Sequence, residues 1–132
     1  MKTLIIGVAM LIAGGSATPE ASQAQQPAST RTDLQRHDLS VAGREVVQVR
    51  VDFDPAYVAP KHRHPGEEII YVLEGTLEYY IDGRPPKTYR AGDVLLVPAE
   101  TTHWVKNTGT TRGSELATYI VEKGKPLLTL VK

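Results

Sequence analysis

The sequence contains no cysteine, which excludes disulfide bonds, thiolate metal ligands, cysteine nucleophiles and lipoprotein anchors. It has no excess charge of either sign, since 15 basic residues balance 15 acidic ones. We therefore predict no nucleic-acid partner, because such a partner requires a basic surface. It also lacks an apolar run of about 20 residues, the length that spans a bilayer, so we predict no permanent membrane span.

The residues that are present favour one small β-rich domain. A length of 132 residues fits a single domain, and a hydrophobic content of 41% is enough for one packed core. The 11 glycines and 9 prolines indicate many turns between short strands. Beyond the N-terminal segment, no window places its apolar residues at the helical spacing of about 3.6 residues.

The N-terminal segment has the layout of a secretory signal peptide. A basic residue, Lys2, precedes the apolar run 4–13, and small residues follow directly. We predict a signal peptide within 1–24, cleaved after Ala17 or Ala24, and export to the periplasm or the cell exterior. A buried N-terminal helix is the alternative interpretation. Residues 25–43 are predicted to be a flexible segment ahead of a barrel domain at 44–132, because they lack periodic apolar positions.

From residue 44 onward, the sequence predicts one strand after another. Apolar and polar residues alternate over 47–53, the pattern of a half-buried strand. Glu74-Gly75 suggests a tight hairpin between two such runs, and Asp82-Gly83 gives a second turn. Short strands separated by turns predict a sandwich or a barrel. The predicted strands are 47–53, 68–73, 76–81, 87–90, 94–97, 103–106, 116–121 and 127–131.

The candidate chemistry begins with two histidines. His62 and His64 are two residues apart, so both rings project to the same face of an extended chain. Pro65 favours extended backbone at His64, and the turn that Pro65 can start would bring Glu68 back towards the histidines. A third histidine, His103, follows a proline-containing turn. Three imidazoles and one carboxylate converging inside a small barrel predict a site for a divalent metal ion.

These two segments resemble the two motifs of the cupin family. The first motif, G(X)5HXH(X)3-4E(X)6G, is met from His62 to Gly75, and the second, G(X)5PXG(X)2H(X)3N, between Gly92 and Asn107. The resemblance covers residues 46 to 131. It implies an all-β, cupin-type double-stranded β-helix (a jelly-roll barrel), and it supports a metal site formed by His62, His64, Glu68 and His103.

Two positions depart from the family pattern. Ala56 stands where the first motif begins with glycine, so a left-handed backbone there would be strained. Glu100 replaces the glycine of Pro-X-Gly directly before the third histidine. We predict that Glu100 occupies an ordinary type I turn position. The alternative is that Glu100 places an additional carboxylate at the mouth of the barrel.

Other residues near the motifs have simpler interpretations. Glu67 is predicted at the solvated rim, because it is out of phase with the apolar positions that follow. His37 lies outside both motifs and is predicted to be exposed. Tyr79 has the parity of its strand's apolar residues, so it either lines the cavity or packs in the core. Trp104 is predicted on a packing or subunit-contact surface, and Asn107 at the end of its strand rather than at the metal.

The candidate metal site indicates a metal-dependent enzyme. Four protein ligands leave positions on an octahedral ion for substrate, water or dioxygen. We predict iron, manganese, nickel or zinc as the cofactor, and a small oxygen-rich or anionic organic molecule as the substrate. The resemblance admits oxygenase-like, decarboxylase and isomerase reactions, and the oxygenase-like reaction is favoured. No acid–base partner is identified from the sequence.

The alternative is a non-catalytic module that binds or senses a small molecule, because the fold by itself does not select a function. A homodimer is predicted from the family resemblance and from strand edges that a partner would cover.

Overall fold

The computed structural model describes residues 24–132, so the predicted signal peptide lies outside the described residues except for Ala24. Within that range the chain forms ten β-strands and no helix, and therefore no helix long and apolar enough to cross a bilayer. The strands are β1 (Ser29–Asp38), β2 (Arg44–Phe53), β3 (His62–Arg63), β4 (Gly66–Glu74), β5 (Thr76–Ile81), β6 (Lys87–Arg90), β7 (Val94–Val97), β8 (His103–Asn107), β9 (Gly113–Glu122) and β10 (Thr129–Leu130).

The strands form two antiparallel sheets of five strands each. One sheet has the order β1-β2-β9-β4-β7, and the other has the order β10-β3-β8-β5-β6. Side chains alternate between buried and exposed along β4, and between buried and half-buried along β5 and most of β9, so each sheet places one apolar face in a shared core. Val49, Ile70, Val72, Leu77 and Ala117 are fully buried there. The all-β prediction is confirmed, and the two packed antiparallel sheets agree with the predicted jelly roll.

The hairpin predicted at Glu74-Gly75 is wrong. β4 pairs with β7 and β9, whereas β5 pairs with β6 and β8, so the chain passes from one sheet to the other at Gly75. Gly75 has a φ of +77°, and a Cβ atom there would lie 2.9 Å from the carbonyl oxygen of Arg112. Both observations require glycine at this corner. The turn at Asp82-Gly83 does join β5 to β6 as predicted.

The structure also differs from the prediction of a flexible segment at 25–43. Ser29 to Asp38 form β1, which pairs antiparallel with the whole of β2. Every side chain of β1 is exposed, so the strand is held by backbone hydrogen bonds and not by burial of apolar groups. This explains why the apolar periodicity of the sequence gave no indication of it.

Two turns contain residues other than glycine in the left-handed region. Ala56 has a φ of +64° and Glu100 a φ of +58°. Each is the third residue of a turn closed by a backbone hydrogen bond, from Tyr57 to Asp54 and from Thr101 to Pro98. A positive φ at that position belongs to a type II turn, in which glycine is favoured. The prediction of a type I turn at Glu100 is therefore wrong, because a type I turn requires a negative φ at both central residues.

We expect Ala56→Gly and Glu100→Gly each to raise the free energy of unfolding by about 1 kcal/mol, because a left-handed conformation disfavours residues that carry a Cβ atom. Urea unfolding of the purified variants measures this. Ala99→Gly is the matched control: Ala99 is also exposed in the Glu100 turn but has no positive φ. That variant should lose stability, since glycine only adds freedom to the unfolded chain. Stabilisation by Ala99→Gly equal to that by Glu100→Gly would contradict the explanation.

Candidate functional site

The three motif histidines lie where β3 and β8 meet. His62 in β3 pairs directly with His103, the first residue of β8. His64 follows β3 on the same face of the chain, and Pro65 then leads into β4, which belongs to the other sheet. Glu68 extends inwards from β4 and faces these rings across the barrel. The short spacing of the first motif therefore brings together groups from both sheets.

The side chains that the sequence predicted as metal ligands lie together in the structure. The rings of His62, His64 and His103 have centroids 4.3–5.1 Å apart, and their ligand nitrogens lie within 4.8 Å of one another. The Glu68 Oε2 atom is 2.9 Å from His103 Nε2 and 3.3 Å from His64 Nε2. His64, Glu68 and His103 are each at most 3% exposed. Such a donor set suits a divalent transition metal.

Backbone carbonyl groups orient all three rings. The Nδ1 atom of His62 lies 2.7 Å from the Pro60 oxygen, that of His64 2.7 Å from the Leu127 oxygen, and that of His103 2.9 Å from the Thr101 oxygen. Proton donation from Nδ1 leaves Nε2 as the nitrogen with a free lone pair directed into the site. His64 Nε2 is buried and has no hydrogen-bond partner. An unpartnered buried nitrogen of this kind fits a metal ligand.

Burial and the Glu68 carboxylate act on the histidines in opposite directions. Burial dominates at His62 and lowers the pKa of His62 to about 4. Burial also disfavours charge on His103, but the hydrogen bond and the negative charge of Glu68 outweigh it, so the pKa of His103 is raised. Glu68 is itself buried, yet the hydrogen bond from His103 and the nearby imidazole of His64 lower the pKa of Glu68 below its usual value. Without metal, the hydrogen bond between His103 and Glu68 therefore favours the charged form of each group, and a bound cation would take the place of the proton between them.

The lowered pKa of His62 predicts an acid-sensitive step in the stability of the metal-free protein. Between pH 4 and 6.5 the unfolded chain binds a proton at His62 that the folded chain does not, so the stability that His62 contributes is lost as the pH falls. We expect His62→Gln to reduce the loss between pH 6.5 and 4.5 by on the order of 2 kcal/mol. Urea unfolding in EDTA across this range, compared with the wild type, measures the difference. Parallel profiles for the two proteins would contradict the prediction.

A cavity of about 210 Å³ extends from these ligand groups between the two sheets. His62, Glu68 and His103 line it together with Tyr79, Glu115 and Tyr119. Its remaining walls are mostly apolar, with Arg31 of β1 contributing a cation. Burial, with the added negative charge of Glu68, raises the pKa of Tyr119 well above its usual value. Tyr119 therefore stays neutral beside the candidate ligands.

Glu115 is a second buried carboxyl group in this cavity, and the sequence interpretation did not identify it. Glu115 lies on β9 and is 4% exposed, and the Tyr79 hydroxyl donates a hydrogen bond to its Oε2 atom. Burial and the negative charge of Glu68 raise the pKa of Glu115 well above its usual value. The signal in the sequence was parity, since Glu115 is in phase with Ala117 and Tyr119, which are buried.

The structure assigns the other sequence candidates as follows. Glu67 and His37 are exposed, as predicted. Tyr79 has both of the roles considered for it, since it is 3% exposed in the core and also lines the cavity. Trp104 packs on Tyr80 in a parallel stack, outside the cavity.

Two motif residues have structural positions away from the ligands. Asn107 ends β8, as predicted, and its amide nitrogen donates to the carbonyl oxygens of Phe53, Asp54 and Thr111. Glu100 lies 3.4 Å from the guanidinium group of Arg63 and is not part of the cavity lining. The alternative in which Glu100 adds a carboxylate at the mouth is therefore not supported.

Known proteins share parts of this sequence. Germin-like protein subfamily 2 member 2 of Arabidopsis thaliana is 36% identical over 75 residues, which are 53% of this chain and 34% of that protein. Dimethylsulfoniopropionate lyase DddQ of Ruegeria pomeroyi is 39% identical over 44 residues, which are 33% of this chain and 22% of that protein. The chain thus spans about a third, or less, of the length of these curated relatives.

Solved structures share the fold. An oxalate oxidase in complex with the substrate analogue glycolate matches with a TM-score of 0.63 and 27% identity, over 78% of this chain and 55% of that one. A cupin superfamily protein from Desulfitobacterium hafniense matches with a TM-score of 0.61 and 19% identity, over 76% of this chain and 84% of that one. The family model of the cupin domain matches residues 49–119, more than half of the sequence. The chain therefore belongs to the cupin family.

Proposed function

We propose that His62, His64, Glu68 and His103 bind one divalent metal ion, which is iron, manganese, nickel or zinc. The observation that carries this proposal is the convergence of three Nε2 atoms and one carboxylate oxygen in a buried pocket, where His64 Nε2 has no hydrogen-bond partner. Buried polar atoms almost always have a partner, so an unpartnered one supports a bound ligand. The three backbone carbonyls hold the rings in the required tautomer.

We further propose that the protein is a metal-dependent enzyme acting on a small oxygen-rich or anionic molecule. A bound divalent ion would supply Lewis-acid or dioxygen chemistry beside the cavity, which supports an oxygenase-like reaction first, and a decarboxylase or isomerase reaction second. The chain itself orients the ligand groups and excludes water, since Val51, Phe53 and Val105 line the cavity. The similar proteins that are named as an oxalate oxidase and a dimethylsulfoniopropionate lyase support small-molecule chemistry.

The test is turnover by protein loaded separately with iron, manganese, nickel and zinc. Each form is incubated with a panel of small hydroxy acids, keto acids and carbonyl compounds, while dioxygen consumption and products are measured. We expect one metal to support turnover of at least one compound, and the His64→Ala variant to be inactive under the same conditions. Saturable binding without turnover by any loaded form would favour the alternative, a binding or sensing module.

Export to the periplasm or the cell exterior is a proposal that rests on the apolar N-terminal segment. The mature N-terminus is expected between residues 18 and 25. Mass spectrometry of protein purified from the native source measures it, and an intact Met1 in the cytoplasmic fraction would contradict the proposal.

A homodimer is likewise a proposal, and it is supported by an exposed apolar surface on the outer face of β4 and β7. Ile69 pairs with Leu96 and Tyr71 with Val94 on this face, and each of the four is at least 41% exposed. Apolar patches of this kind favour contact between proteins. Light scattering at micromolar concentration tests it: a dimeric mass is expected for the wild type, and a monomeric mass for Leu96→Asp.

A further inference from the structure

The cavity opens on one side, between the edges of the two sheets. Most of its lining is buried or half-buried, but five lining residues are exposed: Ser29, Arg31, Pro60, Leu128 and Leu130. Ser29 and Arg31 belong to β1, the edge strand of one sheet, and Leu130 belongs to β10, the edge strand of the other. Pro60 lies two residues before β3, which pairs with β10. Within the described residues 24–132, this exposed side is therefore the mouth of the cavity.

Arg31 lies at this mouth, on the inner face of its sheet. It pairs directly with Val51 of β2, and Val51 pairs with Glu115 of β9. Residues directly opposite each other in antiparallel strands share one face, and Glu115 is buried in the cavity lining. The guanidinium group also acts on Tyr119: burial raises the pKa of Tyr119, and the positive charge of Arg31 opposes that shift. The charge of Arg31 is therefore felt inside the cavity.

The guanidinium group of Arg31 has unused hydrogen-bond donors. Within the described residues, Arg31 is the only arginine or lysine of the cavity lining, and its ion-pair partner is Asp33, whose carboxylate accepts a hydrogen bond from Nε at 2.9 Å. The two side chains are 42% and 79% exposed, so their ion pair contributes little stability. Because a guanidinium group has five N–H donors, its Nη1 and Nη2 atoms remain available, and a carboxylate can accept two parallel hydrogen bonds from such a group.

The charges of the lining favour an anionic ligand once a metal ion is bound. The Glu68 carboxylate would compensate one of the two charges of a divalent ion, and the histidine ligands are neutral. Burial raises the pKa of Glu115 well above its usual value, which keeps that group neutral. Arg31 then adds a positive charge that no carboxylate of the lining compensates, since Asp33 lies outside the lining. An acid with two anionic groups would balance both the metal ion and Arg31.

We propose that Arg31 is a specificity-determining residue: its guanidinium group binds an anionic group of the ligand at the mouth of the cavity, so that the protein prefers small acids with two anionic groups to acids with one. The inference rests on the proposed function, because the other anionic group is the one that reaches the candidate metal ligands. It also gives β1 a role in binding, although every side chain of β1 is exposed.

The experiment compares succinate and glutarate with their monoamides, succinamate and glutaramate. In each pair the amide replaces one carboxylate at nearly the same size, so the two ligands differ mainly in charge. Isothermal titration calorimetry at pH 7 measures their affinity for protein loaded with whichever of iron, manganese, nickel and zinc it binds most tightly. We expect at least one dicarboxylate to bind about tenfold or more tightly than its monoamide, as charge-assisted hydrogen bonds predict.

Four variants separate anion binding from a structural role of Arg31. In Arg31→Gln the preference should fall below about threefold, and Arg31→Lys should be intermediate, because an ammonium group keeps the charge without the two parallel donors. Asp33→Asn should increase the preference, since Asp33 competes for the guanidinium group. Arg63→Gln is the matched control: Arg63 is 47% exposed and pairs with Glu100 outside the cavity lining, so this variant should match the wild type. Metal affinity should be unchanged in all four.

Equal binding of each dicarboxylate and its monoamide, a preference that survives in Arg31→Gln, or no binding of any of the four acids would overturn the proposal. The same loss in Asp33→Asn as in Arg31→Gln would also overturn it, because Arg31 would then act only through its ion pair within β1. The two proposals fail separately. Absence of binding of all four metals refutes the metal site, whereas normal metal binding without a preference for dicarboxylates refutes only the role of Arg31.

Discussion

The His64→Ala variant is expected to lose its metal ion, whereas the His37→Ala variant should keep it. His64 Nε2 is directed into the pocket and has no other partner, while His37 is exposed on β1, outside both motifs. Removing one of four ligand groups should weaken metal binding by at least about 100-fold, since even a residue that only supports a ligand is worth 10- to 100-fold. Metal content by mass spectrometry and affinity by competition with a chelator measure the effect.

The same two variants separate metal binding from folding. At a metal concentration 100 times its dissociation constant, the wild type should gain about 2.7 kcal/mol in the free energy of unfolding. His37→Ala should gain as much, and His64→Ala should gain almost nothing at that concentration. Unfolding in EDTA measures how much free energy of unfolding is lost by removing the buried His64 ring itself. This value is subtracted from the difference measured with metal. If both variants lose metal equally, or if neither does, the assigned site is incorrect.

Gly66→Ala is expected to destabilise the fold by at least about 3 kcal/mol, because overpacking against rigid atoms belongs among the largest single-residue effects. A Cβ atom on Gly66 would lie 2.0 Å from the carbonyl oxygen of Ile120 and 2.7 Å from the Cα atom of Val121. These are backbone atoms of the adjacent strand β9, so no side chain can rotate away. β4 would have to move off β9 at the strand that carries Glu68.

Gly43→Ala is the matched control for this prediction. Gly43 has a φ of +74° and no atom within 4 Å of its hypothetical Cβ, so the cost should be only about 1 kcal/mol of left-handed strain. Thermal and urea unfolding of both variants measure the difference. If the Gly66→Ala variant folds, its metal affinity should also fall, because the displacement of β4 moves Glu68 relative to the histidines. Equal destabilisation by the two substitutions would contradict the close approach of β4 and β9.

Local sequence patterns predicted most of the strands and the candidate ligand groups. The alternation over 47–53 and the runs at 87–90 and 94–97 depend only on which face of a strand each side chain occupies. The placement of His62, His64 and Glu68 was equally local, because all three lie within one short segment around a proline. Such patterns need no knowledge of the strand order.

The predictions from the sequence were wrong where the local structure depends on which strands are neighbours. Glu74-Gly75 resembles a hairpin in sequence, but the two flanking strands pair with other partners in different sheets. β1 was not predicted, because it has no apolar periodicity. Hydrogen bonds to β2 hold it in place. The turns at Ala56 and Glu100 each place a left-handed residue where the family motif has glycine. Because neither residue is glycine, its identity did not indicate a positive φ.

The sequence by itself determined that this protein is an all-β cupin with three histidines and a glutamate able to meet at one point. Spacing and parity are encoded along the chain, so they can be read without a structure. Only the tertiary structure decided that Glu115 and Tyr79 share the cavity with those groups. Glu115 lies on β9 and Tyr79 on β5 of the opposite sheet, and their contact depends on the packing of two sheets, which no local pattern specifies.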